Sequence, residues 1–175
     1  IPLGSLLIDK PQYGANERAI NGNPESDIGY IRITDIDDYG NLLNDDWKTA
    51  ENVDEKYLLR ENDVLFARSG SVGRGFVYKN KLGRAIYAGY LIRFKFDETR
   101  VNPSLVFYYT LTKMYKFWVE SIQRTAVQSN INSKEFKSLK IPLPTLDVQN
   151  RIVEEAEKRL SDAKKLRQEA DAIVE

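Results

Sequence analysis

The sequence predicts an α+β fold: a mixed, β-rich domain with a few helices, followed by a long C-terminal α-helix that packs coiled-coil-like on a partner helix. Three observations predict it. Short apolar or alternating runs, broken by glycine and polar turns, fill residues 30–96. Apolar residues then recur at helical spacing through Val106, Tyr109, Leu111, Met114, Phe117, Trp118 and Ile122. From residue 147 to residue 175 there is no glycine or proline, and an apolar stripe close to a heptad seam crosses a charged background. The expected division is a body over 1–146 and a helix over 147–175.

Taken in order, residues 9–29 are rich in Asn, Gly, Pro and Asp and read as loop. Tyr30-Ile31-Arg32-Ile33 alternates like a strand, and the acidic stretch 35–46 turns at Gly40-Asn41. Glu61-Asn62-Asp63 is a turn leading into Val64-Leu65-Phe66-Ala67, an apolar run that reads as a buried strand. Residues 69–75 form a Gly/Ser loop, and 75–78 resume strand character. Residues 79–83 read as a basic hairpin tip, and strands over 85–88 and 90–96 flank Gly89 as a bulge. Asn102-Pro103-Ser104 starts a helix, and Asn132-Ser133 caps a short one over 134–138. Ile141-Pro142-Leu143-Pro144 is extended, because proline disfavours helix in the residue before it. In the last segment Val153, Ala156, Leu160, Ala163, Leu166, Ala170 and Ile173 form the stripe. A lone helix cannot bury such a stripe against itself. It folds back on the body, or it meets another helix: of this chain, of a second copy, or of the remainder of a longer protein.

Composition narrows the chemistry. With 175 residues, 42% of them hydrophobic, the chain can bury a core. It has no cysteine, which excludes a disulfide framework and suits a reducing, cytoplasmic setting. It has no histidine either, so zinc sites, His-dependent triads and thiol nucleophiles are excluded. Only carboxylates remain as strong metal ligands, and no metal or cofactor is expected. No apolar run is long enough to span a membrane. The opening Ile1-Pro2-Leu3-Gly4 lacks the marks of a signal peptide and a starting Met, which suggests a fragment of a longer chain.

Net charge is zero, but it is unevenly spread. Residues 1–59 hold 5 Lys/Arg against 12 Asp/Glu, residues 60–140 hold 15 against 6, and residues 141–175 hold 6 against 8. A basic centre attracts phosphate whatever the total. Within it, Arg68-Ser69-Gly70-Ser71-Val72-Gly73-Arg74-Gly75 combines close backbone approach with hydroxyls and guanidinium groups, which suit phosphate oxygens and guanine. It lacks the P-loop pattern, and a tight glycine hairpin explains it equally well. Lys79, Lys81, Arg84 and Tyr90, with Tyr78, Tyr87 and Arg93, alternate over two strands and a tip, as in a β-ribbon that enters a major groove. A sheet with one solvated face does the same. Arg124, Gln128, Ser129 and Asn130 lie in a polar loop, and amides of this kind read adenine or simply cap helices. The acidic set Asp35, Asp37, Asp38, Asp45 and Asp46 lacks calcium-loop spacing and a nuclease partner motif, and reads as solvated loop.

Several pieces, in order, resemble the specificity subunit of Type I restriction–modification systems. They are Tyr30-Ile31-Arg32-Ile33-Thr34-Asp35-Ile36, Asp63 through Gly73, Gln128-Ser129-Asn130-Ile131-Asn132, Leu139 through Pro144, and Gln149 with Ile152-Val153. Tyr13-Gly14 is similar to the family's opening loop. The resemblance implies a non-catalytic, sequence-specific reader of double-stranded DNA. It would carry two recognition domains, each reading half of a split site and each followed by a spacer helix. It would recruit an adenine methyltransferase subunit and, through it, the restriction subunit. This chain holds one such unit. It is therefore half of a subunit, a short form that dimerises, or the recognition domain of a fused restriction–methylation enzyme. A helix-mediated interaction scaffold and a metal-dependent nuclease are the readings from other classes. The expected DNA-contacting residues are Tyr13, Arg32, Thr34, Arg68, Ser69, Ser71, Arg74, Lys79, Lys81, Arg84, Tyr90, Arg124, Gln128, Ser129 and Asn130.

Overall fold

The computed structural model describes residues 1–43, 46–125 and 130–174. Its strands are β1 (Gln12–Tyr13), β2 (Ala19–Asn21), β3 (Gly29–Ile31), β4 (Lys48–Ala50), β5 (Val64–Ala67), β6 (Gly75–Val77), β7 (Ala85–Tyr87) and β8 (Leu91–Phe94). Its α-helices are α1 (Pro103–Thr110), α2 (Lys113–Thr125), α3 (Ser133–Ser138) and α4 (Leu146–Val174). A four-stranded antiparallel sheet in the order β1-β8-β5-β6 forms the centre. β3 and β7 pair in parallel, and β2 and β4 pair antiparallel. This is the mixed α+β body and long terminal helix that the sequence predicts.

β5 is a continuous apolar run because both of its faces are covered. Val64 and Phe66, with Ile92 and Phe94 of β8, pack on the helical side against Val106, Tyr115, Val119 and Phe136. Phe66 stacks on Phe136 at 4.9 Å between centroids and meets Phe94 edge-on at 5.1 Å. Leu65, Ala67 and Leu91 point the other way, toward Ile31, Phe76 and Tyr87. The period-2 pleat thus splits one strand between two cores.

The helices start where the sequence places them. Asn102 caps α1 by accepting from the Ser104 N–H at 2.9 Å. Asn132 and Glu135 form a reciprocal capping box on α3. The helical periodicity through 106–122 is shared by two helices, with a break at Leu111-Thr112 between α1 and α2.

Four expectations are corrected. The 79–83 segment is no hairpin tip: β6 pairs with β5, whereas β7 crosses over to pair with β3. A 3-10 turn over Asn80–Leu82 makes the crossover, and the Tyr78 hydroxyl closes it on the Gly83 carbonyl. Gly89 belongs to a tight turn, closed by Leu91 N–H to Ala88 carbonyl at 2.9 Å, and not to a bulge. Residues 9–29 are no open loop, because β1 and β2 are cut from them and the Tyr30 hydroxyl donates to the Ala15 carbonyl at 2.7 Å. Finally, Val153 is buried at the root of α4 in the body, so it belongs to no free stripe. Gln149, fully buried, fixes that root by bonding the Asn102 N–H and the Arg100 and Pro144 carbonyls. Ala156 and Leu160 are half-buried, while Ala163, Leu166 and Ala170 are exposed; the side chain of Ile173 lies outside the described residues.

One charged pair is buried between the layers. Arg93 of β8 lies 3.5 Å from Asp63, and both side chains are under 10% exposed. The guanidinium also bonds the Leu58 carbonyl at 2.8 Å and the Gln12 amide oxygen. Burial pushes the Asp63 carboxyl above the usual carboxylate range, against the pull of the Arg60 N–H and Arg93. Its folded pKa exceeds its unfolded one, so this group alone costs stability as pH rises from the unfolded value through the folded one. Removing a partner is a different matter, because a buried cation is then left uncompensated. Asp63→Ala is expected to destabilise the fold by about 3–5 kcal/mol in urea unfolding. A loss near zero would show that the pair is not buried in solution.

Candidate nucleic-acid interface

The four-stranded sheet has two ends, and the chain alternates between them. At one end lie the exit of β5, the entry to β6 and the turn joining β7 to β8. Arg68 follows β5 at this end, and its backbone is held on both sides: its N–H donates to the Tyr90 carbonyl at 2.9 Å, and its carbonyl accepts from the Ile131 N–H at 2.8 Å. Its guanidinium lies over the Tyr13 ring, 5.0 Å from the centroid. Its Nε donates to the Asn130 side-chain oxygen at 3.3 Å. Four residues expected from the sequence (Tyr13, Arg68, Tyr90 and Asn130) are thus brought together from four separate segments.

The geometry leaves Arg68 set but unspent. Neither terminal amino group of its guanidinium donates to a described residue. Tyr13 is fixed in turn by Ser133, whose N–H donates to the phenol oxygen at 3.2 Å. Tyr90 is 64% exposed at the tip of its turn. Ser69 is half-buried and Ser71 exposed on the adjoining loop, and Thr34 is exposed beside it. A β-carbon added at Gly70 would stand 3.5 Å from Ile33, which places the 69–71 loop against the 33–35 turn.

Glycine is required in this loop at Gly73. Its φ is +83°, and an added β-carbon would come within 2.7 Å of Val119 on α2. The Tyr115 hydroxyl donates to the Gly73 carbonyl at 2.6 Å. Burial raises the pKa of that phenol, so it stays a donor. Helix α2 therefore holds the loop from beneath.

Other expected residues are spent within the protein. Arg32 forks onto Asp35, with Nη2 to Oδ1 at 2.6 Å, and lies 3.4 Å from Asp46; the Asp35 bond raises its pKa. Arg74 donates to the Ile36 carbonyl at 2.6 Å and pairs with Asp38. Both arginines shape the 32–42 segment beside the cluster. Lys79, Lys81 and Arg84 lie at the opposite end of the sheet, where Lys79 bonds Asn62 at 2.6 Å. The β-ribbon expected over 76–96 is therefore not formed: Tyr78, Tyr87 and Arg93 are buried, and Tyr90 is separated from the basic turn by the length of β7. Gln128 and Ser129 lie outside the described residues, as does the side chain of Arg124.

The acidic set lies in exposed turns, as expected, and its carboxylates also find partners within the chain. Asp35, Asp38 and Asp46 pair with Arg32, Arg74 and Lys48, and Asp37 accepts the Tyr39 and Asn41 N–H groups at 2.9 and 2.8 Å. Asp45 lies outside the described residues. Among the described residues no group of carboxylates is placed to hold a metal ion, and no helix is long and apolar enough to cross a membrane.

Sequence reasoning missed Asn16, which is exposed and whose side-chain oxygen crowds Gly89 beside Tyr90. It also missed the positioning role of Tyr30, which ties down the 15–17 segment by donating to the Ala15 carbonyl and accepting the Glu17 N–H at 3.3 Å. The alternation of Tyr30 with Arg32 was the available signal, but it marks a strand and not a clamp.

Comparison with known proteins agrees with this architecture. A family model described as the Type I restriction modification DNA specificity domain matches residues 13–165. The Type I restriction enzyme StySPI specificity subunit of Salmonella potsdam is 28% identical over 162 residues, which cover 89% of this chain and 34% of that protein. The EcoBI specificity subunit of Escherichia coli is 25% identical over 133 residues, covering 74% of this chain and 28% of that one. The solved HsdS subunit from Thermoanaerobacter tengcongensis superposes with a TM-score of 0.71 at 17% identity, over 97% of this chain and 44% of its own. A chain solved in work on complex assembly and conformational transition of the type I R-M system gives 0.67 at 18%, over 98% of this chain and 41% of its own. At these identities the two structures show a shared fold. The chain spans about a third of the length of these curated relatives and under half of these solved chains. With the family model matching over most of its length, the chain belongs to the Type I restriction modification DNA specificity domain family.

Proposed function

We propose that this chain is a non-catalytic, sequence-specific reader of double-stranded DNA, and that Arg68 is its central contact. The observation that carries the reading is the pre-set guanidinium, held by Tyr13 and Asn130, whose terminal amino groups donate to no described residue. Such a fork matches the O6 and N7 acceptors of guanine, or two phosphate oxygens. Ser69, Ser71 and Thr34 supply hydroxyls for phosphates around it, and Tyr90 offers an exposed ring. Arg32 and Arg74 act as positioning residues, because their donors are already engaged.

In this reading residues 1–146 recognise a half-site and residues 147–175 form the spacer. The partners are a methyltransferase that modifies adenine, through it a restriction subunit, and a second recognition unit, all in the cytoplasm. Family membership supports this assignment, as does the exposed apolar edge of α4 at Ala163, Leu166 and Ala170. That edge has the spacing of a helix–helix seam.

Arg68→Ala is expected to cost about 1–3 kcal/mol of discrimination at one base pair, read by binding to a set of single-base-substituted duplexes at fixed salt. Arg68→Lys should fail to restore it, because a point charge cannot make the fork. A uniform loss over all duplexes would reassign Arg68 to the phosphate backbone. Equal weak binding of the wild-type chain to every duplex, with its methyltransferase supplied, would defeat the proposal.

The helix is tested separately. Leu166→Asp should abolish association of the chain with its partner unit in sedimentation velocity, while the thermal transition of the body stays in place. Unchanged association would remove α4 from the interface.

A further inference from the structure

A second basic feature stands at the far end of the sheet, and the base-reading cluster does not absorb it. A cleft of about 620 Å³ opens there between the 55–60 and 79–84 segments, within the range of small-ligand sites. Topology fixes its place. Arg84 precedes β7 and Lys95 follows β8, whereas Tyr90 sits at the turn between those strands. The cleft is therefore separated from Arg68 by the length of the central strands. The Leu59 N–H donates to the Ala85 carbonyl at 2.9 Å, which sets Arg60 and Arg84 on adjacent stretches of backbone.

The charges in the cleft are lopsided. Lys56, Arg60, Arg84, Arg93 and Lys95 line it, with Glu55 as the sole lining carboxylate. Arg93 is consumed in the floor by Asp63 and Leu58. Lys56 pairs with Asp54 at 2.6 Å, and Lys95 with Asp9 at 3.2 Å. Two guanidinium groups remain. Among the described residues, Arg60 has no side-chain hydrogen bond and no ion-pair partner within 4.0 Å. Among the described residues Arg84 pairs with Glu55 alone, at 3.6 Å, with both side chains more than 60% exposed. The wall beside Arg84 is open, since a β-carbon added at Gly83 would meet nothing within 4 Å. The Tyr78 hydroxyl gives its proton to the Gly83 carbonyl.

We propose that this cleft binds a phosphate group, held between the forks of Arg60 and Arg84. Two planar guanidinium groups suit the several oxygens of a tetrahedral oxyanion better than a lone carboxylate does. Glu55 holds the place of that anion until the phosphate displaces it. The assignment stands whether or not Arg68 reads bases. The phosphate belongs to a nucleic-acid backbone or to a free phosphate ester.

The test follows the Gly83 amide and the arginine Nε signals by NMR, at constant ionic strength kept with chloride. Inorganic pyrophosphate and a short duplex of mixed sequence are the two probes. Saturable shifts at Gly83, Arg60 and Arg84 are expected. They should weaken by about tenfold or more in the double variant Arg60→Gln/Arg84→Gln and persist in Arg68→Ala. Both substituted residues are exposed, and far-UV circular dichroism confirms that the variant is folded. Saturation by the duplex, reversed by pyrophosphate, assigns the site to a DNA backbone. Saturation by pyrophosphate, with the duplex leaving these signals unmoved, assigns it to a free phosphate ester. Shifts that stay linear with both probes, or an affinity unchanged in the double variant, overturn the proposal.

Discussion

Arg93 stands in β8 where an apolar residue is expected, and its guanidinium reaches four neighbours. It faces Asp63 at 3.5 Å, bonds the Leu58 carbonyl at 2.8 Å and the Gln12 amide, and lies 5.5 Å from the centre of the Tyr87 ring. These neighbours come from the lead-in to β5, from the segment beside β7, from β1 and from β7 itself. A buried cation demands partners, and here meeting that demand forces four segments into one arrangement. β1 joins the edge of the sheet with Gln12 facing Arg93, so Tyr13, the next residue, is delivered beside Arg68. The position of the Arg68 cluster is in this sense a consequence of a charge buried in the neighbouring strand β8.

Charge also explains why the sequence looks more polar along its length than the molecule does in space. The acidic first third and the basic middle are brought together: Asp38 meets Arg74, Asp9 meets Lys95, and Glu55 approaches Arg84. Part of the excess of cations over residues 60–140 is consumed in this way. Among the described residues, the terminal amino groups of Arg68 donate to none at one end of the sheet, and Arg60 stands with the loosely held Arg84 at the other. Function is better read from the unpaired remainder than from the gross balance.

Elements with a strong local signal were legible in the sequence. The apolar run of β5, the Asn102-Pro103 start of α1, the Asn132 cap of α3 and the glycine-free α4 all follow from rules acting over a few residues. Pairing was not legible. Nothing near residues 79–83 announces that β7 will leave its neighbour and pair in parallel with β3, because parallel pairing is decided by a distant strand. β1, β2 and β4 are too short to show a period and exist because partners hold them. The site divides in the same way. Arg68, Tyr13, Tyr90 and Asn130 were each foreseen as residue types, but their meeting depends on tertiary contacts. Arg32, Arg74 and Arg93 look from the sequence like the same kind of residue as Arg68, and only burial and partners separate them.

Residues 1–3 lie against residues 139–141. Ile1 and Ile141 exchange backbone hydrogen bonds at 2.6 and 2.9 Å, and the Leu3 N–H donates to the Leu139 carbonyl at 2.8 Å. Backbone bonds between residues 1–3 and 139–141 thus gather the described body at a neck, with α4 beginning just beyond it. The neck and the root of α4 are held by backbone bonds and by the buried Gln149 amide, so neither depends on which side chains the 69–71 loop carries.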